Sequence, residues 1–152
     1  MLFRFDDGTR IEVNCASAEA LLKAIADRLR RGEGFAGATI NIDHLDQIGR
    51  DAAFRRAYAA QDLVVADGNP VVWLSRIAGR PVSLAPGSDL VVPIARVAAK
   101  AAAPVALIGS TPQALAAAAD ALRAAAPGLD IVLCVSPGFP FDPEGEEADA
   151  IL

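Results

Sequence analysis

Leu63-Val64-Val65-Ala66-Asp67-Gly68-Asn69-Pro70 sets an unbroken apolar run directly against a carboxylate, a glycine and a proline. A strand with one wet face alternates polar and apolar residues. A run that is apolar throughout fits a parallel strand covered on both sides. Pro70 fits the first turn of a helix, where its missing N–H leaves no bond unmade. The stretch therefore reads as strand, turn, helix, with the helix over residues 71–77 and Gly79-Arg80-Pro81 as its stop.

The same alternation runs outward in both directions. Upstream, Ala38-Thr39-Ile40-Asn41-Ile42 reads as a central strand, and residues 44–60 as one helix capped by Asp43 or a neighbour. Before it, residues 2–5 and 10–13 alternate around the turn Asp6-Asp7-Gly8, which predicts a hairpin. Ser17 caps a helix whose Leu21, Leu22, Ile25 and Leu29 recur at helical spacing, closed by Gly32 and Gly34. Downstream, Ser88 or Asp89 caps a helix over 90–102, and residues 105–108 form a strand ending at Gly109-Ser110-Thr111-Pro112. A helix over 113–126 and a strand over 131–135 follow, and then a Pro- and Gly-rich stretch with no element. Strand and helix in alternation predict an α/β fold, Rossmann-like, with a mostly parallel sheet, helices on both faces and an N-terminal β-hairpin. One domain over residues 1–152 is expected, with hairpin and first helix in 1–34 and the core in 35–152.

Composition narrows the function classes. Hydrophobic residues make up 53% of the 152 and charged residues 22%, which excludes a disordered chain. The longest apolar run, residues 98–107, is interrupted by Lys100 and Pro104 and falls short of the roughly 20 residues a membrane span needs. The charged start MLFRFDDGTR lacks the apolar segment of a signal peptide, so a cytoplasmic protein is expected. Net charge is −5, and the only basic cluster is Arg28, Arg30 and Arg31 on a helix; no nucleic-acid partner is expected, and an anionic membrane would gain little. Cys15 and Cys134 are far apart and read as buried thiols, and no metal-ligand spacing occurs.

Polar residues gather at four expected strand ends: Thr39 to His44, Asp67-Gly68-Asn69, Gly109-Ser110-Thr111 and Ser136-Pro137-Gly138. In an open α/β sheet, ligands bind beyond the carboxyl ends of the strands, so all four are expected on one edge. Asp67 at such a partly dry end can serve as general base toward a hydroxyl, but from position alone a cap or turn role is the stronger reading. Thr39 and Asn41 share one face of a buried strand and need partners, which a ligand or the backbone can supply. His44, the one histidine, reads as a residue that orients its loop. Gly109-Ser110-Thr111 and Gly87-Ser88-Asp89 each open a helix, where free N–H groups favour phosphate. Neither a P-loop nor a dinucleotide glycine fingerprint is present, which argues against a dehydrogenase-like binder. Phe54, Tyr58 and Trp73 read as core.

These residues together resemble one family. Thr39-Ile40-Asn41-Ile42-Asp43-His44-Leu45, Ala66-Asp67-Gly68-Asn69-Pro70-Val71-Val72-Trp73, Gly79-Arg80-Pro81, Gly87-Ser88-Asp89-Leu90, Leu107-Ile108-Gly109 and Ser136-Pro137-Gly138-Phe139 follow the order and spacing of the WecG/TagA/CpsF glycosyltransferases over residues 38–141. The resemblance implies an enzyme of bacterial surface polysaccharide synthesis. It would transfer a sugar from a UDP-sugar donor to a saccharide on a polyprenyl-diphosphate carrier, with inversion, without metal and without a cofactor. It implies Asp67 as base, with Thr39 and Asn41 at the reacting sugar. Asp43, His44, Gly68, Asn69, Gly87, Ser88, Asp89, Gly109, Ser110, Ser136 and Pro137 would line the donor pocket. A place at the inner face of the cell membrane is implied, and a homo-oligomer is compatible with it. The sequence departs from the family at Leu84, where an arginine is usual, and at Gly138, where a second proline is usual. The family's Gly-x-Pro-x-Gln-Glu strand end and basic membrane-contacting tail have no counterpart here, so the core is expected to be incomplete at its C-terminal side. Leu84 also fits a reading of another class, a non-catalytic nucleotide-binding or assembly module on the same scaffold.

Overall fold

A computed structural model describes residues 1–142 and 144–151. Among them, six short strands and seven helices make a mixed α/β chain. The chain divides into two compact units, Met1–Ile94 and Ala95–Leu152.

In the first unit, β1 (Leu2–Arg4) and β2 (Arg10–Glu12) pair antiparallel with Phe3 opposite Ile11, the expected hairpin. Its turn closes through Gly8, whose φ of 84° suits a residue without Cβ. Arg55 holds that turn down, donating from Nε to Asp7 Oδ2 at 2.8 Å and from a terminal nitrogen to the Ile48 carbonyl at 2.7 Å. Helix α1 (Ala18–Arg31) starts where Ser17 Oγ accepts the Ala20 N–H at 3.2 Å, and ends at Gly32 in the left-handed region.

Strands β3 (Gly37–Ile40) and β4 (Leu63–Ala66) pair in parallel, Thr39 opposite Val65 and Ile40 opposite Ala66. Period-two alternation gives the pair two different faces. Ala38, Ile40, Val64 and Ala66 turn toward a core completed by Ile11, Val13, Ile48, Tyr58, Val71 and Val72. Gly37, Thr39, Leu63 and Val65 border a cleft of about 260 Å³, closed by Leu21 and Ile25 of α1 and by Leu90 and Val91 of α5 (Gly87–Lys100). This β3–β4 pair therefore carries helices on both faces.

The stretch read as one helix over 44–60 is two, α2 (Ile42–Arg50) and α3 (Ala52–Ala59). Asp51 breaks it by becoming a cap, its Oδ1 accepting the N–H groups of Ala53 and Phe54 at 2.8 and 3.1 Å. Helix α4 (Asn69–Ile77) follows β4 directly. Fully buried Ser75 then anchors the return, taking the Val82 N–H at 3.0 Å, and Ala85 donates to the Ala66 carbonyl at 2.8 Å. Helix α5 opens at Gly87 itself, so Ser88 and Asp89 lie in its first turn and not before it.

In the second unit, β5 (Val105–Ile108) and β6 (Ile131–Val135) are again parallel, and α6 (Pro112–Ala125) packs on both. Thr111 caps α6, accepting the Ala114 N–H at 3.3 Å. A short helix α7 (Glu146–Ile151) lies in the stretch expected to hold no element. The parallel strands form one pair in each unit among the described residues.

Two burial expectations fail. Trp73 is 59% exposed and not core, because α4 turns Val71, Val72 and Ser75 inward and the opposite stripe outward. Cys134 is exposed. Cys15 is buried as expected, and that burial pushes its thiol up from its ordinary value. Among the described residues no helix is long and apolar enough to cross a membrane.

Ile40 is 0% exposed at the centre of the first core, whereas Ile77 on α4 is 83% exposed. Chemical denaturation should therefore show Ile40→Ala destabilising by about 2–5 kcal/mol and Ile77→Ala by no more than about 0.5.

Candidate active site

The paired ends of β3 and β4 bring Thr39, Asn41, Asp67 and Gly68 together. The Asp67 N–H donates to the Ile40 carbonyl at 2.8 Å, which continues the strand ladder by one residue and fixes where the carboxylate emerges. Its Oδ2 accepts the Gly87 N–H at 3.2 Å. Asp67 therefore does not cap α4: the cap is Gly68, which offers no side-chain bond. Gly68 holds a φ of 132°, a conformation that side chains rarely adopt, and a Cβ there would come within 3.7 Å of Asn41 Cβ.

Gly87 brings the start of α5 into the same place. A Cβ on it would lie 3.4 Å from Thr39 Cγ2, 3.5 Å from Asp67 Oδ2 and 3.7 Å from Thr39 Oγ1. Thr39 and Asp67 thus both border Gly87, and all three are half-buried. A carboxylate, a hydroxyl and a helix-start N–H converge there. That set can accept a proton from, and orient, a bound hydroxyl.

Asn41 is not the strand side chain the sequence predicted. It is the N-cap of α2, its Oδ1 accepting the His44 N–H at 2.9 Å. His44 Nδ1 lies 2.7 Å from the Tyr58 hydroxyl, which also donates to the Thr39 carbonyl at 2.8 Å. Tyr58 reads as core from its spacing, and its ring is core, edge-on to Phe54 at 5.1 Å. The missed signal is that a buried tyrosine hydroxyl nearly always has a partner. Burial pushes the Tyr58 phenol up from its usual range, and the negative charge of Asp67 raises it further. Asp43, Asn69, Ser88 and Asp89 remain exposed; Ser88 Oγ bonds Asp89 Oδ1 at 3.2 Å.

The remaining candidates form a second group in the second unit. Gly109, with φ 115°, and Ser110, with φ 60°, turn the chain from β5 toward Thr111 and α6. The Gly109 N–H reaches the Val135 carbonyl at 2.9 Å, and Ser136 Oγ donates to the Ser110 carbonyl at 2.6 Å. Gly109, Ser110, Thr111, Pro137 and Phe139 line a cleft of about 510 Å³ beside these strand ends. The Gly138 N–H is held by Glu147 of α7 at 2.8 Å. Among the described residues, no group of three or more His, Cys, Asp or Glu is arranged to hold a metal ion.

A family model described as glycosyl transferase WecG/TagA/CpsF family matches residues 7–152, nearly the whole length, and the chain belongs to that family. No individual curated protein matches it.

Tyr58 is the only tyrosine, so its ionisation can be followed by absorbance without interference. It should titrate above the usual phenol range, and Asp67→Asn should bring it partway down while the larger effect of burial persists. An unchanged titration in Asp67→Asn would place the carboxylate's charge away from Tyr58.

Proposed function

We propose that this glycosyltransferase family member transfers a sugar from a UDP-sugar to a saccharide on a polyprenyl-diphosphate carrier, in surface polysaccharide synthesis at the cytoplasmic face of the membrane. The observation that carries the reading is that the Asp67 carboxylate accepts the Gly87 N–H at the start of α5, where Thr39 borders the same glycine. The acceptor hydroxyl oxygen attacks the anomeric carbon, the bond to the UDP oxygen breaks, and the hydroxyl proton passes to Asp67. One displacement inverts the anomeric centre. A single base is enough because UDP is a good leaving group, and the reaction runs without a metal.

Within this reading Thr39 and the Asn41 amide nitrogen contact the reacting sugar. Asn41 Oδ1 is committed to α2, so its –NH₂ is the group free to donate. The family resemblance assigns Gly109, Ser110, Ser136 and Pro137 to the nucleotide, and backbone N–H groups at the start of α6 are suited to a diphosphate. Leu84 offers the diphosphate no charge where an arginine is usual. For that reason the alternative, a nucleotide-binding module without transfer, needs its own outcome in the test.

The test is sugar transfer to a polyprenyl-diphosphate-linked acceptor, with UDP binding followed by calorimetry. Asp67→Ala should lower the transfer rate by about 10²–10⁴-fold while UDP affinity holds. A rate within a few-fold of the parent protein removes Asp67 as base. UDP binding without transfer by either protein favours the module.

A further inference from the structure

We infer that Tyr58 is a positioning residue for the Thr39–Asn41 end of β3, and that it holds His44 with its proton on Nδ1. The inference rests on the transferase reading only for what Thr39 and Asn41 do; the hydrogen-bond geometry stands without it.

In a parallel pair, successive carbonyls of a strand point to opposite sides. The Ala36 and Ile40 carbonyls bond toward β4, accepting from Leu63 and Asp67. The Thr39 carbonyl therefore points to the other side of β3, where no strand pairs among the described residues. A carbonyl left without a partner at such a half-buried place is destabilising. The Tyr58 hydroxyl meets it at 2.8 Å.

Proton counting then fixes the histidine. The Tyr58 hydroxyl carries one proton, and the Thr39 carbonyl can only accept, so that proton points at Thr39. The remaining contact, 2.7 Å between Tyr58 Oη and His44 Nδ1, is a hydrogen bond only if Nδ1–H donates. The reverse assignment would set two oxygens 2.8 Å apart with no proton between them. His44 in turn donates its backbone N–H to Asn41 Oδ1 at 2.9 Å. The result is a closed circuit: His44 Nδ1–H to Tyr58, Tyr58 O–H to Thr39, and the His44 backbone to Asn41. Both ends of the circuit are residues placed at the reacting sugar. The Tyr58 ring is itself fixed by packing against Phe54, so the hydroxyl is aimed by core contacts.

The consequence for His44 is specific. An unrestrained neutral imidazole favours the proton on Nε2; here Nε2 is left as the bare acceptor. Among the described residues no buried side-chain nitrogen or oxygen lacks a partner, and none bonds Nε2, so Nε2 is open to solvent or ligand.

His44 is the only histidine, so imidazole ¹⁵N spectra of the whole chain report on it alone. At a pH where the ring is neutral, the spectrum should show Nδ1 protonated and Nε2 bare. Tyr58→Phe, which keeps the ring against Phe54, should move the proton to Nε2. In transfer assays it should lower kcat by about 10- to 100-fold with KM nearly constant, since the loss is of alignment and not of binding. Nε2–H in the unsubstituted protein overturns the inference outright, whatever the variant does. Persistence of Nδ1–H in Tyr58→Phe removes Tyr58 as its cause. A full rate in Tyr58→Phe alongside a crippled Asp67→Ala overturns the positioning role and keeps the catalytic reading. Rates unmoved by either substitution overturn both.

Discussion

The hydrogen bond from the Asp67 amide to the Ile40 carbonyl, 2.8 Å long, closes the β3–β4 ladder and sets the level at which both strands end. With Thr39 opposite Val65 and Ile40 opposite Ala66, the next residues on each strand emerge side by side. A slip of β3 by one residue would exchange its faces, sending Ile40 out of the core and Thr39 into it. The large apolar side chains facing the core, Ile40 and Val64 above all, make that slip expensive, since each is at most 1% exposed. The position of a polar site is thus fixed by apolar packing one residue away from it.

The same register explains why glycine recurs around the site. Gly68 must pass beside Asn41 with a positive φ, and Gly87 must approach Thr39 and Asp67 closely enough to bond the carboxylate through its backbone. The carboxylate is then oriented by a main-chain donor that no rotamer change can withdraw. Tyr58 supplies the complementary restraint from the other side of β3.

Much of this was legible in the sequence, and the failures share a cause. The hairpin, the Ser17 and Gly32 ends of α1, the buried β4 run and the parallel pairing all follow from local pattern, and the structure has them. Thr39, Asp67 and Gly68 were legible as neighbouring strand ends, where ligands collect, whereas Gly87 was legible only as a helix start. What misled was residues with two structural options. Asp51 inside an apparent helix, and Asn41 inside an apparent strand, both took backbone N–H groups as caps. Short polar side chains compete with regular structure in this way, and periodicity does not show which side wins. The exposure of Trp73 and Cys134 is not legible locally, because burial depends on which face a neighbouring element covers, a tertiary fact. The spacing of Tyr58 marks its ring as core and carries no sign of the partner that its hydroxyl finds.

The chemistry proposed here asks one carboxylate, restrained by Gly87 and flanked by Thr39 and Asn41, to take a proton from an incoming sugar hydroxyl. The most direct measurement is a crystal structure of the chain with a UDP-sugar donor and an acceptor analogue bound. The account predicts the acceptor hydroxyl within about 2.6–3.2 Å of an Asp67 carboxylate oxygen, with Thr39 against the donor sugar. Both sugars bound elsewhere, with Asp67 still holding only the Gly87 N–H, would contradict it.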